Sequence, residues 1–110
     1  MSIFRCTVCG YKFEGPAAPA VCPKCGATQD KFVQLDEESA KKVVASARTN
    51  SIHAELIAIA DRVVALASEG IEINLDPPCV ALFQKAVVEA TQIRQRSKAE
   101  IEGHIGKGKW

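Results

Sequence analysis

The chain has 110 residues, 47% of them hydrophobic and 25% charged, and a formal net charge of +1. That length holds one ordinary domain, or a small metal module followed by a helical segment. A net charge this close to zero leaves no nucleic-acid footprint, and no apolar run approaches the roughly twenty residues of a membrane span, so neither nucleic acid nor membrane is expected as a partner.

Residues 1–35 are rich in Gly, Pro and Cys and lack a helical apolar period. Four of the five cysteines fall in two matched pairs, Cys6-Thr7-Val8-Cys9-Gly10-Tyr11 and Cys22-Pro23-Lys24-Cys25-Gly26. Two such pairs can bring four sulfurs to the corners of one tetrahedron, the geometry zinc and iron take with thiolates. Gly10 and Gly26 stand where each knuckle must swing to positive φ, which glycine does at no steric cost. Pro23 pre-sets φ and stiffens the second turn. Ile3-Phe4-Arg5, Tyr11-Lys12-Phe13 and Phe32-Val33-Gln34-Leu35 read as short strands of a small antiparallel sheet around the knuckles. So small a unit buries too little apolar surface to fold alone, and metal binding is expected to supply much of its folding free energy.

Two disulfides are a competing reading, but disulfides are rare in reducing cytosol, and Met1-Ser2-Ile3-Phe4-Arg5 runs straight into the first knuckle without a secretory leader. The expected location is cytoplasmic. A redox-active Cys-x-x-Cys of the thioredoxin sort does not account for two matched pairs. A mononuclear four-thiolate site is left, and four sulfurs do not by themselves separate zinc from iron.

The residues around the cysteines add to this. Phe4 to Tyr11, Glu14-Gly15, Ala17-Ala18-Pro19, Cys22 to Ala27 and Phe32 resemble a rubredoxin-type domain, in the short-spacer version found at one end of rubrerythrins. The resemblance covers roughly residues 3–35. It implies that Cys6, Cys9, Cys22 and Cys25 ligate one iron that cycles between ferric and ferrous states, with Tyr11, Phe13, Phe32 and Phe4 packed beside the site. Taken singly, each aromatic also reads as plain core filling. Free rubredoxins tend to be acidic and dock on basic reductases. Residues 1–35 carry Arg5, Lys12, Lys24 and Lys31 against Glu14 and Asp30. The negative charge of an iron–thiolate centre brings such a module near neutral, which weakens electrostatic steering toward a reductase of that kind.

At Asp36 the composition changes, and no Gly or Pro occurs again before Gly70. Asp36 is the expected N-cap, with Glu37 and Glu38 in the first turn. Val44, Ile52, Leu56, Ile59, Val63 and Leu66 fall at helical steps and define an apolar face, widened by Ile57, Ala60, Val64 and Ala67. Arg48-Thr49-Asn50-Ser51 is a weak spot, yet one continuous helix over about 36–69 is preferred to two, with Gly70 as its stop. After a link, Asp76-Pro77-Pro78 reads as N-cap and first turn of a second helix over about 77–103. Phe83, Val87, Ala90, Ile93, Ser97 and Ile101 form its inner face and Gly103 ends it. His104 to Trp110 is expected to be a flexible tail.

The fold expected is α+β, a rubredoxin-like metal-binding ribbon (1–35) followed by an antiparallel α-helical hairpin (36–110). Two helices cannot cover a wide apolar face, so the hairpin is expected to form a homodimer or to dock on a redox partner protein. A catalytic di-iron bundle needs Glu-x-x-His steps. Neither His53 nor His104 has Glu three residues before it. Cys79 reads as a small buried hydrophobe and His53 as a polar surface or packing residue. Arg94, Arg96, Lys98, Lys107 and Lys109 read as a solvated basic face. The function expected is electron transfer on a mononuclear Fe(Cys)4 centre rather than catalysis. The alternative is a zinc ribbon that serves as an interaction module with no redox role.

Overall fold

The computed structural model describes residues 2–110, which divide into two compact units, one reaching to Ala45 and the other Ser46–Trp110. In the first, strands β1 (Ser2–Cys6), β2 (Lys12–Gly15) and β3 (Phe32–Gln34) form an antiparallel sheet in the order β2-β1-β3. β1 is central, with Phe4 opposite both Phe13 and Gln34. A 3₁₀ turn at Gln29–Lys31 leads into β3. This is the small sheet expected from the three apolar runs, with β2 starting one residue later than Tyr11. Helix α1 (Glu37–Ile73) begins in this unit and continues into the second, where α2 (Pro77–Gly106) joins it as a hairpin. No helix among the described residues is long and apolar enough to cross a membrane.

Both helix starts follow from their capping residues. The Asp36 carboxylate accepts from the Ser39 N–H at 2.7 Å, and the Asp76 carboxylate accepts from the Cys79 N–H at 2.9 Å, with Pro77 and Pro78 where no donor is needed. The helix ends lie further on than glycine placement suggested. α1 passes through Gly70 and stops at Asn74, whose φ of +53° is the left-handed conformation that Asn tolerates. α2 passes through Gly103 and stops at Gly108, φ +73°, where the Lys109 N–H reaches the His104 carbonyl at 2.8 Å and the Gly108 N–H reaches that of Ile105 at 3.3 Å. That paired closure is a Schellman motif. Residues 104–106 are therefore helical where a flexible tail was expected.

α1 is continuous through the weak spot, because its polar residues there have partners in the same unit. Ser46 Oγ and Asn50 Nδ2 both donate to the Lys109 carbonyl, at 2.6 and 2.7 Å, and Asn50 Oδ1 meets His104 Nδ1 at 2.5 Å. His53 Nδ1 lies 3.2 Å from Ser97 Oγ. Ser46, Asn50 and Ser97 are buried and satisfied. The basic face expected on α2 is also partly engaged, since Arg94 pairs with Asp61 across the hairpin at 2.8 Å.

The centre of the seam between the helices carries small residues at heptad steps, Ser46, Ala60 and Ala67 on α1, with half-buried His53 in the same row, against Ala90 and Ser97 on α2. At Gly70 the Phe83 ring occupies the place a Cβ would take. Of the wide apolar face expected on α1, Ala60 and Ala67 are buried in the seam and Ile57 and Val64 are half-buried beside it, while Ile52, Leu56, Ile59, Val63 and Leu66 lie outside it and are 37–57% exposed. Small side chains let two helices approach closely, and two helices alone can seal only one stripe.

Gly70→Ala should lower stability by about 1 kcal/mol in urea titration followed by circular dichroism, because overpacking against Phe83 outweighs the gain in helix propensity. Gly70→Ala combined with Phe83→Leu should recover most of that loss. The Asp36 carboxyl is held below its usual range by the Ser39 N–H. Its cap is fully present above the ordinary carboxyl pKa and is lost as pH falls through the lowered folded value. The difference in stability between the wild type and Asp36→Asn should accordingly shrink below roughly pH 4, in the same titration run against pH.

Candidate metal centre

Each knuckle is a short turn closed by the same two backbone hydrogen bonds. The Cys6 N–H donates to the Tyr11 carbonyl at 2.8 Å and the Gly10 N–H to the Cys6 carbonyl at 2.9 Å; the Cys22 N–H donates to Ala27 at 2.8 Å and the Gly26 N–H to Cys22 at 2.9 Å. Gly10 and Gly26 take φ of +83° and +78° as the turns require. The first knuckle is tied to the turn before β3 by Thr7, whose N–H and hydroxyl both donate to the Lys31 carbonyl, at 2.9 and 2.6 Å. Gln29 ties the loop ahead of the second knuckle, its side-chain amide donating to the Ala18 carbonyl at 2.7 Å.

These turns bring Cys6, Cys9, Cys22 and Cys25 together, all four sulfurs lying within 4.8 Å of one another. Cys6 and Cys25 are 3.7 Å apart and Cys9 and Cys22 3.6 Å. A tetrahedron of thiolates at a metal–sulfur distance near 2.3 Å has edges of about 3.8 Å, so the donor set fits one tetrahedral ion. Cys6 and Cys22 are buried, Cys9 is half-buried and Cys25 is exposed. Phe32 packs against the buried pair, with Phe4 and Tyr11 beside them. Phe13 does something else: its ring lies over Gly15.

The backbone prepares the sulfurs for ionisation. Burial pushes the Cys22 thiol up, but the N–H groups of Cys25 and Lys24 and the thiols of Cys9 and Cys25 bring it down to about 6. Cys6 is lowered in the same way against its burial, by the N–H groups of Cys9 and Val8 and the thiols of Cys25 and Cys9. At Cys25 the Ala27 N–H lowers the pKa, yet burial and the three neighbouring thiols outweigh it and push it up to about 12. Four thiolates this close repel one another, and a cation among them removes that conflict.

Among the described residues these cysteines are the group of three or more potential ligands that could hold a metal. Cys79 is half-buried near the start of α2. His53 and His104 contact each other edge-on, centroids 6.3 Å apart, and their ring nitrogens are engaged with Ser97, Asn50 and Glu100. That polar cluster was missed from sequence, although Ser46, His53 and Ala60, and likewise Ala90, Ser97 and His104, already stand seven residues apart. A cleft of about 600 Å³ in the first unit, lined by Ile3, Glu14, Leu35 and Val44, touches none of the thiols.

A family model described as the rubredoxin-like domain of rubrerythrin matches residues 4–33. Over 38 residues the chain is 53% identical to reverse rubrerythrin-1 of Clostridium acetobutylicum, a stretch that is 34% of this chain and 21% of that protein. The chain thus spans about a fifth of the length of the curated relative it matches. No solved structure matches. The first unit is a rubredoxin-like metal-binding domain with a four-cysteine site.

Cys22→Ser should lower metal content at least about tenfold and collapse the amide dispersion of residues 2–34 in NMR, while the helical circular dichroism persists, because the ion supplies the folding energy of the small unit alone.

Proposed function

We propose that this chain is a one-electron carrier in which Cys6, Cys9, Cys22 and Cys25 hold a single iron ion. The observation that carries the reading is the sulfur spacing of 3.6 and 3.7 Å, which suits four-thiolate ligation of one ion with every ligand drawn from the protein. Bound there, iron supplies a one-electron couple with the same four ligands in both oxidation states. The match to a rubredoxin-like domain supports the choice of iron over zinc.

The residues of the chain divide the remaining work. Cys6 and Cys22, buried and each approached by two backbone N–H groups, anchor the ion and offset negative charge on their sulfurs. Phe4, Tyr11 and Phe32 keep water from the inner side. Cys25 is exposed, with exposed Lys24 beside it in the second knuckle, and Val8 is 63% exposed in the first. That edge is where a redox partner protein approaches closely enough to exchange an electron. With four protein ligands no coordination position is left for a substrate, so the centre carries electrons and does not catalyse. The setting is the cytoplasm, where thiols stay reduced.

Protein purified anaerobically from its native host should contain one iron per chain, absorb visible light, and bleach reversibly on reduction with dithionite. A colourless protein with stoichiometric zinc from that source would replace the carrier by a structural ribbon.

A further inference from the structure

The uncovered side of the hairpin is apolar, and its charges are complementary to themselves. Ile52, Leu56, Ile59, Val63 and Leu66 form a stripe about a quarter-turn of α1 away from the seam, and all are 37–57% exposed. Leu56, Ile59 and Val63 line a groove of about 210 Å³ together with Ala86 and Ile93 of α2, so both helices present this side in common. The opposite side of α1 carries Ala54, Ala58, Asp61 and Ala65 and has no such stripe.

We propose that a second copy of this chain covers the face, with each helix lying antiparallel to its own counterpart in a four-helix bundle. Along the outer flank of the α1 stripe stand Arg48, Glu55, Arg62 and Glu69, seven residues apart and exposed. Read backwards, the row has the opposite sign at every place. A two-fold axis between residues 58 and 59 therefore sets Arg48 against Glu69 of the partner subunit and Glu55 against Arg62 of the partner subunit, with Ile59 of both copies near the axis. The Arg48–Glu55 contact within one chain is long, 3.9 Å, and wet, with side chains 75% and 70% exposed, and does not compete strongly.

α2 makes the same case independently. Lys85, Glu89, Arg96 and Glu100 are exposed and reverse sign about a point between residues 92 and 93, pairing Lys85 with Glu100 and Glu89 with Arg96 across copies. The two centres lie within one helical turn of each other along the hairpin. Asp61 pairs with Arg94 and His53 with Ser97, so residues 58 and 59 of α1 stand beside about residue 95 of α2, two to three residues from the midpoint of its pattern. One two-fold axis satisfies both helices. Non-closing association is not favoured, because an isologous contact of this kind uses the face up in a single pair.

Sedimentation equilibrium of the full metal-loaded chain, with iron or with zinc, tests the proposal without reference to the redox reading. The wild type should be a dimer at micromolar concentration. Ile59→Asp should be a monomer with undiminished helicity, since Ile59 is 57% exposed in the single chain. Glu55→Arg should weaken the dimer roughly tenfold by turning two attractions into repulsions, and Glu55→Arg with Arg62→Glu should restore it to within about threefold of wild type. A wild-type monomer at about 100 μM, a dimer that survives Ile59→Asp, a double exchange that fails to recover affinity, or a monomer whose face is held by a different protein would each overturn it.

Discussion

The first unit depends on the closeness of four sulfur atoms. Its sheet has three short strands, and its buried hydrophobic residues are Ile3, Cys6, Cys22 and Phe32, so apolar burial contributes little on its own. The two knuckles repeat the same pair of backbone hydrogen bonds and the same positive-φ glycine, and this repetition places the sulfurs at tetrahedral spacing. The opposite pulls on Cys22 and Cys25 express the conflict among like charges that a bound cation resolves. Fold and metal site are one thermodynamic object here, as in other small domains that fold around an ion.

The second unit rests on a different constraint, the width of side chain that two close helices admit. Ala60, Ala67, Gly70, Ala90 and Ser97 hold the seam, and Ser46 and Asn50 lock its far end by donating to the Lys109 carbonyl, with His104 Nδ1 set against Asn50 Oδ1. A polar lock explains why Asn50 sits within an unbroken helix despite its preference for turns, while the Thr49 hydroxyl bonds back to the Ser46 carbonyl at 2.9 Å. The Ser46 and Asn50 side chains, which would otherwise compete with the helix, are directed to the C-terminal segment instead. Small and polar residues at the centre of the seam leave Ile52, Leu56, Ile59, Val63 and Leu66 of α1 outside it.

Much of this was legible before any coordinates. Two Cys-x-x-Cys-Gly knuckles announce a four-thiolate site because the spacing carries the geometry, and the cap residues Asp36 and Asp76 mark both helix starts. What sequence reasoning missed at the helix ends has one cause: it took glycine as a stop. Gly70 is kept for Phe83 and Gly103 is tolerated within a helix, while the stops come from Asn74 and Gly108. The two apolar stripes on α1 were read as one wide face, and only the one carrying Ile57, Ala60, Val64 and Ala67 turns to α2. Periodicity gives the angle of a stripe about the helix but not which neighbour covers it.

An apolar stripe does not choose a direction by itself. Parallel or antiparallel neighbours would bury Ile52, Leu56 and Ile59 about equally well, and a shift by one heptad would change little. Charge along the flank breaks that degeneracy. A parallel pairing of the two α1 helices sets Arg48 beside Arg48 and Glu55 beside Glu55, whereas the antiparallel pairing about residues 58 and 59 meets opposite charge at every flanking position. A heptad slip from that register brings Glu against Glu and Arg against Arg. Such surface pairs contribute little stability each, but their sign is enough to select one register among several of similar apolar burial.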